Sequence, residues 1–238
     1  MKHLPTEAIL DKMTTPEKAN LCDGEGSWHT HGVERLGIPG AMLTDGPHGL
    51  RKRTQINGEW TTVHATCMPT ASALAASWNR EVAALAANTI AKDAIAEGVA
   101  VVLGPGVNMK RSPLCGRNFE YFSEDPYFAG DFAAAYISAM QQNGVGSCIK
   151  HFAVNNQETR RFTVSADVAA RPLHETYLRA FEIAVQAAKP EAIMESYNRI
   201  NGKHAAESRW LLDDLLRKKW GFDGVVMSDW EAVNDRVA

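Results

Sequence analysis

Residues Gly224-Val225-Val226-Met227-Ser228-Asp229-Trp230 set one carboxylate at the end of a short apolar run, with an indole directly after it. A run such as Val225-Val226-Met227 is the pattern of a strand buried on both faces. Strands of that kind belong to parallel α/β folds, whose chemistry gathers at the carboxyl ends of strands. A carboxylate beside a flat aromatic face suits a sugar: the acid meets the reactive carbon and the ring covers the C–H face. The same residues also fit a simpler role, Ser228-Asp229 capping a helix that starts near Glu231.

Other apolar runs end the same way. Ala41 to Thr44 leads into Asp45, Ser147 to Ile149 into Lys150-His151, and Ala192 to Met194 into Glu195-Ser196-Tyr197. Singly, Asp45 before Gly46-Pro47 reads as a turn residue, Lys150 as a solvated charge and His151 as a core histidine. Strand ends converge on one rim of a barrel, so residues far apart in sequence can meet there.

The elements that must position these groups alternate. Thr15-Pro16-Glu17 opens a short helix, and Gly24 to Gly40 reads as loop. Arg51 to Thr62 is a polar surface excursion, and Ala71 to Ala76 fits strand or helix equally. Asn79 caps a helix with the apolar stripe Val82, Leu85, Ala86, Ile90 and Ala94, ended by Gly98. Val99 to Leu103 is a strand, and a helix runs from Asp125-Pro126 to Asn143-Gly144. A polar stretch then reaches Ala170, followed by a helix from Pro172 to Ala188. Ser208 caps the last helix, with Leu211, Leu212 and Leu215 inward and Gly221 as its stop. Strand and helix alternate without hairpin turns, which predicts a parallel α/β chain. A (β/α)8 TIM-like barrel is the natural closure and a doubly wound sheet the alternative. No G-x-G-x-x-G or G-x-x-x-x-G-K follows a strand, so no nucleotide site is expected.

At 238 residues and 45% hydrophobic content the chain can bury a substantial core. Its 25 basic and 28 acidic residues nearly cancel, so neither nucleic acid nor a membrane surface is expected as partner. Met1 to Pro5 lacks an apolar signal core, and no apolar run nears the roughly 20 residues of a membrane span. The four cysteines show no C-x-x-C spacing and read as free thiols, which together predict a cytoplasmic protein. His29 and His31 have no third ligand at useful spacing, so no metal and no cofactor is expected.

Five blocks then carry a resemblance: TDGPHGLR (Thr44 to Arg51), GPGVNMKRSPLCGRNFEYFSEDP (Gly104 to Pro126), KHFAVNNQETRR (Lys150 to Arg161), MESYNRING (Met194 to Gly202) and GVVMSDW (Gly224 to Trp230). In this order they resemble the N-terminal domain of glycoside hydrolase family 3, in its β-glucosidase branch. The resemblance implies that residues 1–238 are that barrel domain. It also implies that Asp229 is the catalytic nucleophile and that Trp230 lies beside the bound sugar. Asp45, Arg51, Arg117, Lys150, His151, Arg161, Met194 and Tyr197 match residues lining the glycone subsite, with Glu120 and Glu158 as partners of the cations. The implied reaction is retaining hydrolysis of a β-glucoside or short oligosaccharide through a glycosyl-Asp229 intermediate. A β-xylosidase or broad exo-glycosidase is the near alternative. The branch acting on N-acetylglucosaminides usually carries a KHFPGHG-like block, which KHFAVNNQETRR replaces here.

In the β-glucosidase branch the acid/base glutamate lies in a second α/β sandwich domain, and nothing in this sequence resembles it. The expectation is a truncated piece with an incomplete barrel, partnered by the missing C-terminal part or by itself. Alone it would be inactive or very weak, or a non-catalytic scaffold. Glu195 and His151 are the substitute acids to weigh.

Overall fold

Five apolar runs form a five-stranded parallel sheet in the computed structural model, which describes residues 6–233. They are β1 (Leu43–Asp45), β2 (Val101–Leu103), β3 (Gly146–Phe152), β4 (Ala192–Glu195) and β5 (Val225–Ser228). Each strand pairs with the next in chain order, β1 and β5 being the edges. A doubly wound sheet would reverse direction at a switch point; this one does not. The sheet curls as part of a barrel wall. A closed eight-stranded barrel is not what the described residues form: among them the sheet ends at β5, and the outer edge of β1 meets only short segments, through the Leu43 N–H donating to the Trp28 carbonyl at 2.8 Å and the Arg51 N–H to the Asp45 carbonyl at 2.9 Å.

Helices cover one face. Helix α1 (Arg80–Ala96) starts where the Asn79 side chain accepts from the Glu81 N–H at 2.9 Å. Helix α2 (Pro126–Gln142) starts where Asp125 accepts from Phe128 N–H at 2.9 Å, with Pro126 preset for the first turn. The predicted stripe of α1 is corrected by one position. Leu85 is exposed, whereas Ala83, Ala86, Ala87, Ile90, Ala91 and Ala94 are buried. Small residues let α1 approach α2 closely; a leucine there would hold the helices apart.

Helix α3 (Arg179–Ala188) is preceded by a π-helical turn over Leu173–Tyr177, so the predicted helix from Pro172 is interrupted. Helix α4 (Trp210–Lys219) is π-helical along its length. Its wider turn buries Leu211, Leu215 and Leu216 and leaves Leu212 half-buried, which corrects the expected inward set. Ala71–Ala75 is helical, capped by Thr70. Hairpins are also present, against expectation. The Arg51 to Thr62 excursion contains the antiparallel pair Arg53–Ile56 and Glu59–Thr62, turning at Asn57-Gly58 with φ of 54° and 85°. Asn-Gly is the residue pair that tolerates positive φ in a two-residue turn.

Gly130 on α2 is where α3 comes closest. A Cβ there would meet Ile183 Cβ at 2.8 Å and the Ala180 carbonyl oxygen at 2.9 Å. Gly130→Ala is therefore expected to cost about 1–3 kcal/mol of stability through forced separation of the two helices. The measurement is the urea midpoint; an unchanged midpoint would show that the helices yield freely.

The uncovered face carries Leu103, Cys148, Ala192 and Met194, with Trp28, Met227 and Trp230 packed on them. Strand β5 is not buried on both faces as predicted: Val225 is 63% exposed. It lies on the sheet edge, and its open-face side chains have no layer over them among the described residues.

Candidate active site

Asp229 follows β5 directly and is buried. Its Oδ1 accepts the Tyr197 hydroxyl at 2.8 Å and the Trp230 N–H at 2.8 Å. Glu231, two residues on, has φ of 63° and belongs to a turn, so the carboxylate caps no helix among the described residues. Burial pushes the Asp229 carboxyl above its usual range, while the Tyr197 and Trp230 hydrogen bonds and the charges of Arg117 and Lys150 oppose that shift.

Oδ2 faces His151 Nε2 at 3.6 Å. This contact is not an ion pair. Arg117 Nη2 donates to the same Nε2 at 2.8 Å, so that nitrogen carries no proton. Nδ1 then holds the proton and donates to the Tyr121 hydroxyl at 3.1 Å. Burial first, then the cations Arg117, Lys150 and Arg161, hold the imidazole well below its ordinary value. His151 is neutral and has no proton to give toward Asp229, so it does not fit the role of a substitute acid. Its backbone is fixed by Asn108, which accepts from the His151 N–H and donates to its carbonyl, both at 2.9 Å.

Arg117 also makes a two-pronged bond to Glu120, at 2.7 and 2.9 Å. Lys150 Nζ lies 3.4 Å from Glu120 and 3.4 Å from Asp45, and Asp45 accepts from Arg51 at 2.8 Å. Asp229, His151, Arg117, Glu120, Lys150, Asp45 and Arg51 thus form one continuous arc across the rim, from edge strand β5 to edge strand β1. Three cations face Glu120 and Asp45, and ionised Asp229 is the third anion that balances them. Arg161 joins through the Tyr197 ring, with its guanidinium carbon 4.5 Å from the centroid, and is paired with Glu158 at 2.9 Å. Met194 and Trp230 make apolar walls, and Trp230 meets Trp28 in a tilted contact with centroids 5.0 Å apart.

Sequence reasoning assigned nothing to Trp28, Asn108 or Tyr121. Asn108 and Tyr121 lie inside a quoted block, but their roles depend on His151, and Trp28 sits in a stretch read only as loop. Glu195 does not face the arc. It pairs in register with Ser228, so by strand alternation it leaves the sheet opposite to Asp229. Beside the arc a cleft of about 550 Å³ opens past Asp45 and Arg51, bordered by Thr66, Cys67 and Phe119. No group of three His, Cys, Asp or Glu residues suited to a metal ion occurs among the described residues. Among them, too, no helix is long and apolar enough to cross a membrane.

Comparison with known proteins places this geometry. Residues 25–237 match the glycosyl hydrolase family 3 N-terminal domain. The chain is 52% identical to thermostable beta-glucosidase B of Acetivibrio thermocellus over 97% of its own length and 31% of that protein's. It is 53% identical to an exo-alpha-(1->6)-L-arabinopyranosidase of Bifidobacterium longum, over 98% of this chain and 31% of the other. The crystal structure of a Bifidobacterium adolescentis family 3 beta-glucosidase superposes with a TM-score of 0.90 at 53% identity, covering 95% and 32%. Beta-glucosidase 3B of Thermotoga neapolitana in complex with glucose superposes with a TM-score of 0.90 at 43% identity, covering 94% and 33%. The chain spans about a third of the length of these relatives.

Proposed function

The chain belongs to glycosyl hydrolase family 3, as its N-terminal domain, and from that premise we propose that it carries the nucleophile and glycone subsite of a retaining exo-β-glucosidase. The observation that carries this reading is the Asp229 carboxylate. Oδ1 accepts from both Tyr197 and Trp230, and among the described residues Oδ2 has no hydrogen-bond donor. A carboxylate held by one oxygen presents the other as the attacking atom. In the proposed reaction Oδ2 bonds to the anomeric carbon, the glycosidic C–O bond breaks, and water later releases the sugar.

The arc beyond Asp229 suits the sugar hydroxyls. A hydroxyl donates to Asp45 while accepting from Lys150 or Arg51, and such charge-assisted bonds are stronger than neutral ones. Trp230, braced by its tilted contact with Trp28, offers the ring face for the C–H side of the pyranose. The acid that protonates the leaving oxygen is proposed to come from outside this chain, in a second α/β sandwich domain. A pentopyranose specificity is the second reading, favoured by the 53% identity to the L-arabinopyranosidase.

The test uses 2,4-dinitrophenyl 2-deoxy-2-fluoro-β-glucoside. Dinitrophenolate departs without protonation, so the first step needs no acid, and the fluorine slows the second step. Intact mass is expected to rise by one fluoroglucosyl unit, mapped to the peptide bearing Asp229. No adduct would leave the chain as a sugar-binding or assembly fragment.

A further inference from the structure

Three Asn-Gly steps occur in the chain: Asn57-Gly58, Asn143-Gly144 and Asn201-Gly202. Each can undergo the same reaction, with water as its only co-reactant. The glycine nitrogen attacks the asparagine Cγ, the bond from Cγ to the amide nitrogen breaks, and ammonia leaves with the proton that the glycine nitrogen gives up. Water then opens the five-membered succinimide. Opening on one side restores the main chain with an aspartyl residue. Opening on the other leaves an isoaspartyl residue, whose side-chain carbon has become part of the main chain. Two groups must be free at once, the asparagine amide to swing toward its own backbone and the glycine nitrogen to meet it.

The three glycines have φ of 85°, 82° and 88°, and at none of them would an added Cβ meet an atom within 4 Å. Steric access therefore does not separate the steps. Hydrogen bonding does. The Asn143 amide donates to Asn88 Oδ1 and to the Ala139 carbonyl, both at 2.7 Å, and the Gly144 N–H donates to the Gln141 carbonyl at 2.9 Å. Asn201 accepts from the Val168 N–H at 2.7 Å and donates to the Val168 carbonyl at 3.1 Å, and the Gly202 N–H donates to Ser165 Oγ at 2.9 Å. Asn57 is exposed, and among the described residues neither its side-chain amide nor the Gly58 N–H has a hydrogen-bond partner. Local sequence does not explain the contrast, because Ile56 and Ile200 precede Asn57 and Asn201 alike.

We propose that Asn57-Gly58 is a modification site, at which the folded protein deamidates selectively, and that the isoaspartyl product opens the hairpin. The turn holds two residues, between the pair Ile56 and Glu59. An extra main-chain carbon does not fit a turn of that length, so the pairing from there to Arg53 and Thr62 is lost. The return strand ends at Thr62, which with Val63 borders the cleft beside the arc, so the change reaches the rim of the site. The inference is independent of the activity proposed above.

The test is peptide mapping of the chain after ageing at mildly alkaline pH, in buffer and in guanidinium chloride. Deamidation is read as a mass gain of one unit, and the isoaspartyl and aspartyl peptides elute apart. In buffer Asn57 is expected to react at least about tenfold faster than Asn143 or Asn201, each of which must first break its hydrogen bonds. In denaturant the three rates should converge. Asn143 or Asn201 reacting as fast as Asn57 in buffer overturns the assignment. Selectivity that persists in denaturant overturns it too, since it would then belong to the local sequence and not to the fold. Hydrogen exchange of the hairpin amides is expected to quicken in the isoaspartyl fraction and to keep the parent rate in Asn57→Asp, which carries the charge without the extra carbon. Unchanged exchange in the isoaspartyl fraction, or an equal rise in Asn57→Asp, overturns the opening by the added carbon.

Discussion

Asp229→Asn is expected to remove the covalent adduct and to slow dinitrophenolate release from an unsubstituted aryl glucoside by at least about 10⁴-fold, the usual scale for loss of a nucleophile. The substitution is close to isosteric. The amide oxygen still accepts the Tyr197 hydroxyl and the Trp230 N–H, so the strand end keeps its shape. Burial works against ionised Asp229, and an amide carries no such penalty. The melting temperature of the variant is therefore expected to equal or exceed that of the parent while the reaction is lost. Asp229→Gly makes the complementary test. Added azide occupies the vacated space and attacks the same carbon, and the product expected is the α-glucosyl azide, of inverted configuration. Recovery of hydrolysis by Asp229→Asn without azide would show that another group forms the bond.

How much of this was legible in the sequence depends on how local each feature is. The β5 run and the carboxylate after it are local, and so are the helix starts at Asn79 and Asp125, where a cap and the first turn lie within four residues. The Asn57-Gly58 hairpin was equally local, and the polarity of its flanks hid it. The proton on His151 was not legible. It is set by Arg117, 34 residues upstream, and by Tyr121, and only the folded strands bring these together. The exposure of Val225 was hidden for a related reason. An apolar run reads alike whether it is central or at an edge, and its neighbours decide which. The π-helical turns before α3 and along α4 follow from packing on the sheet, which no local propensity records.

Glu195 is the residue where burial and sequence disagree most, and it yields the second large effect. It is 2% exposed, both of its carboxyl oxygens lack a hydrogen-bond partner among the described residues, and burial with the nearby Asp229 charge raises its pKa to about 8. The unfolded chain would titrate it near the ordinary 4.5. Between those values the folded protein holds a proton that the unfolded protein has released. Stability is thus fully retained below about pH 4.5, declines as pH rises toward 8, and levels off above. Each unit is worth about 1.4 kcal/mol, so the contribution lost is on the order of 4–5 kcal/mol. Glu195→Gln removes the titration and keeps the side chain's size. In acid both forms bury an uncharged polar group and their urea midpoints should nearly coincide. By pH 9 the glutamine form should be more stable by roughly 4 kcal/mol, the gap opening across that window. Parallel stability profiles from pH 5 to pH 9 would sink the argument, because they would mean that the carboxylate finds a partner once ionised. Glu195 leaves the sheet on the Ser228 side, away from the arc, so the exchange also asks whether a charge behind the nucleophile reaches it. If it does, the adduct should form faster in the parent than in the glutamine form above pH 8, because bond formation removes the Asp229 charge that ionised Glu195 repels, and at equal rates near pH 6.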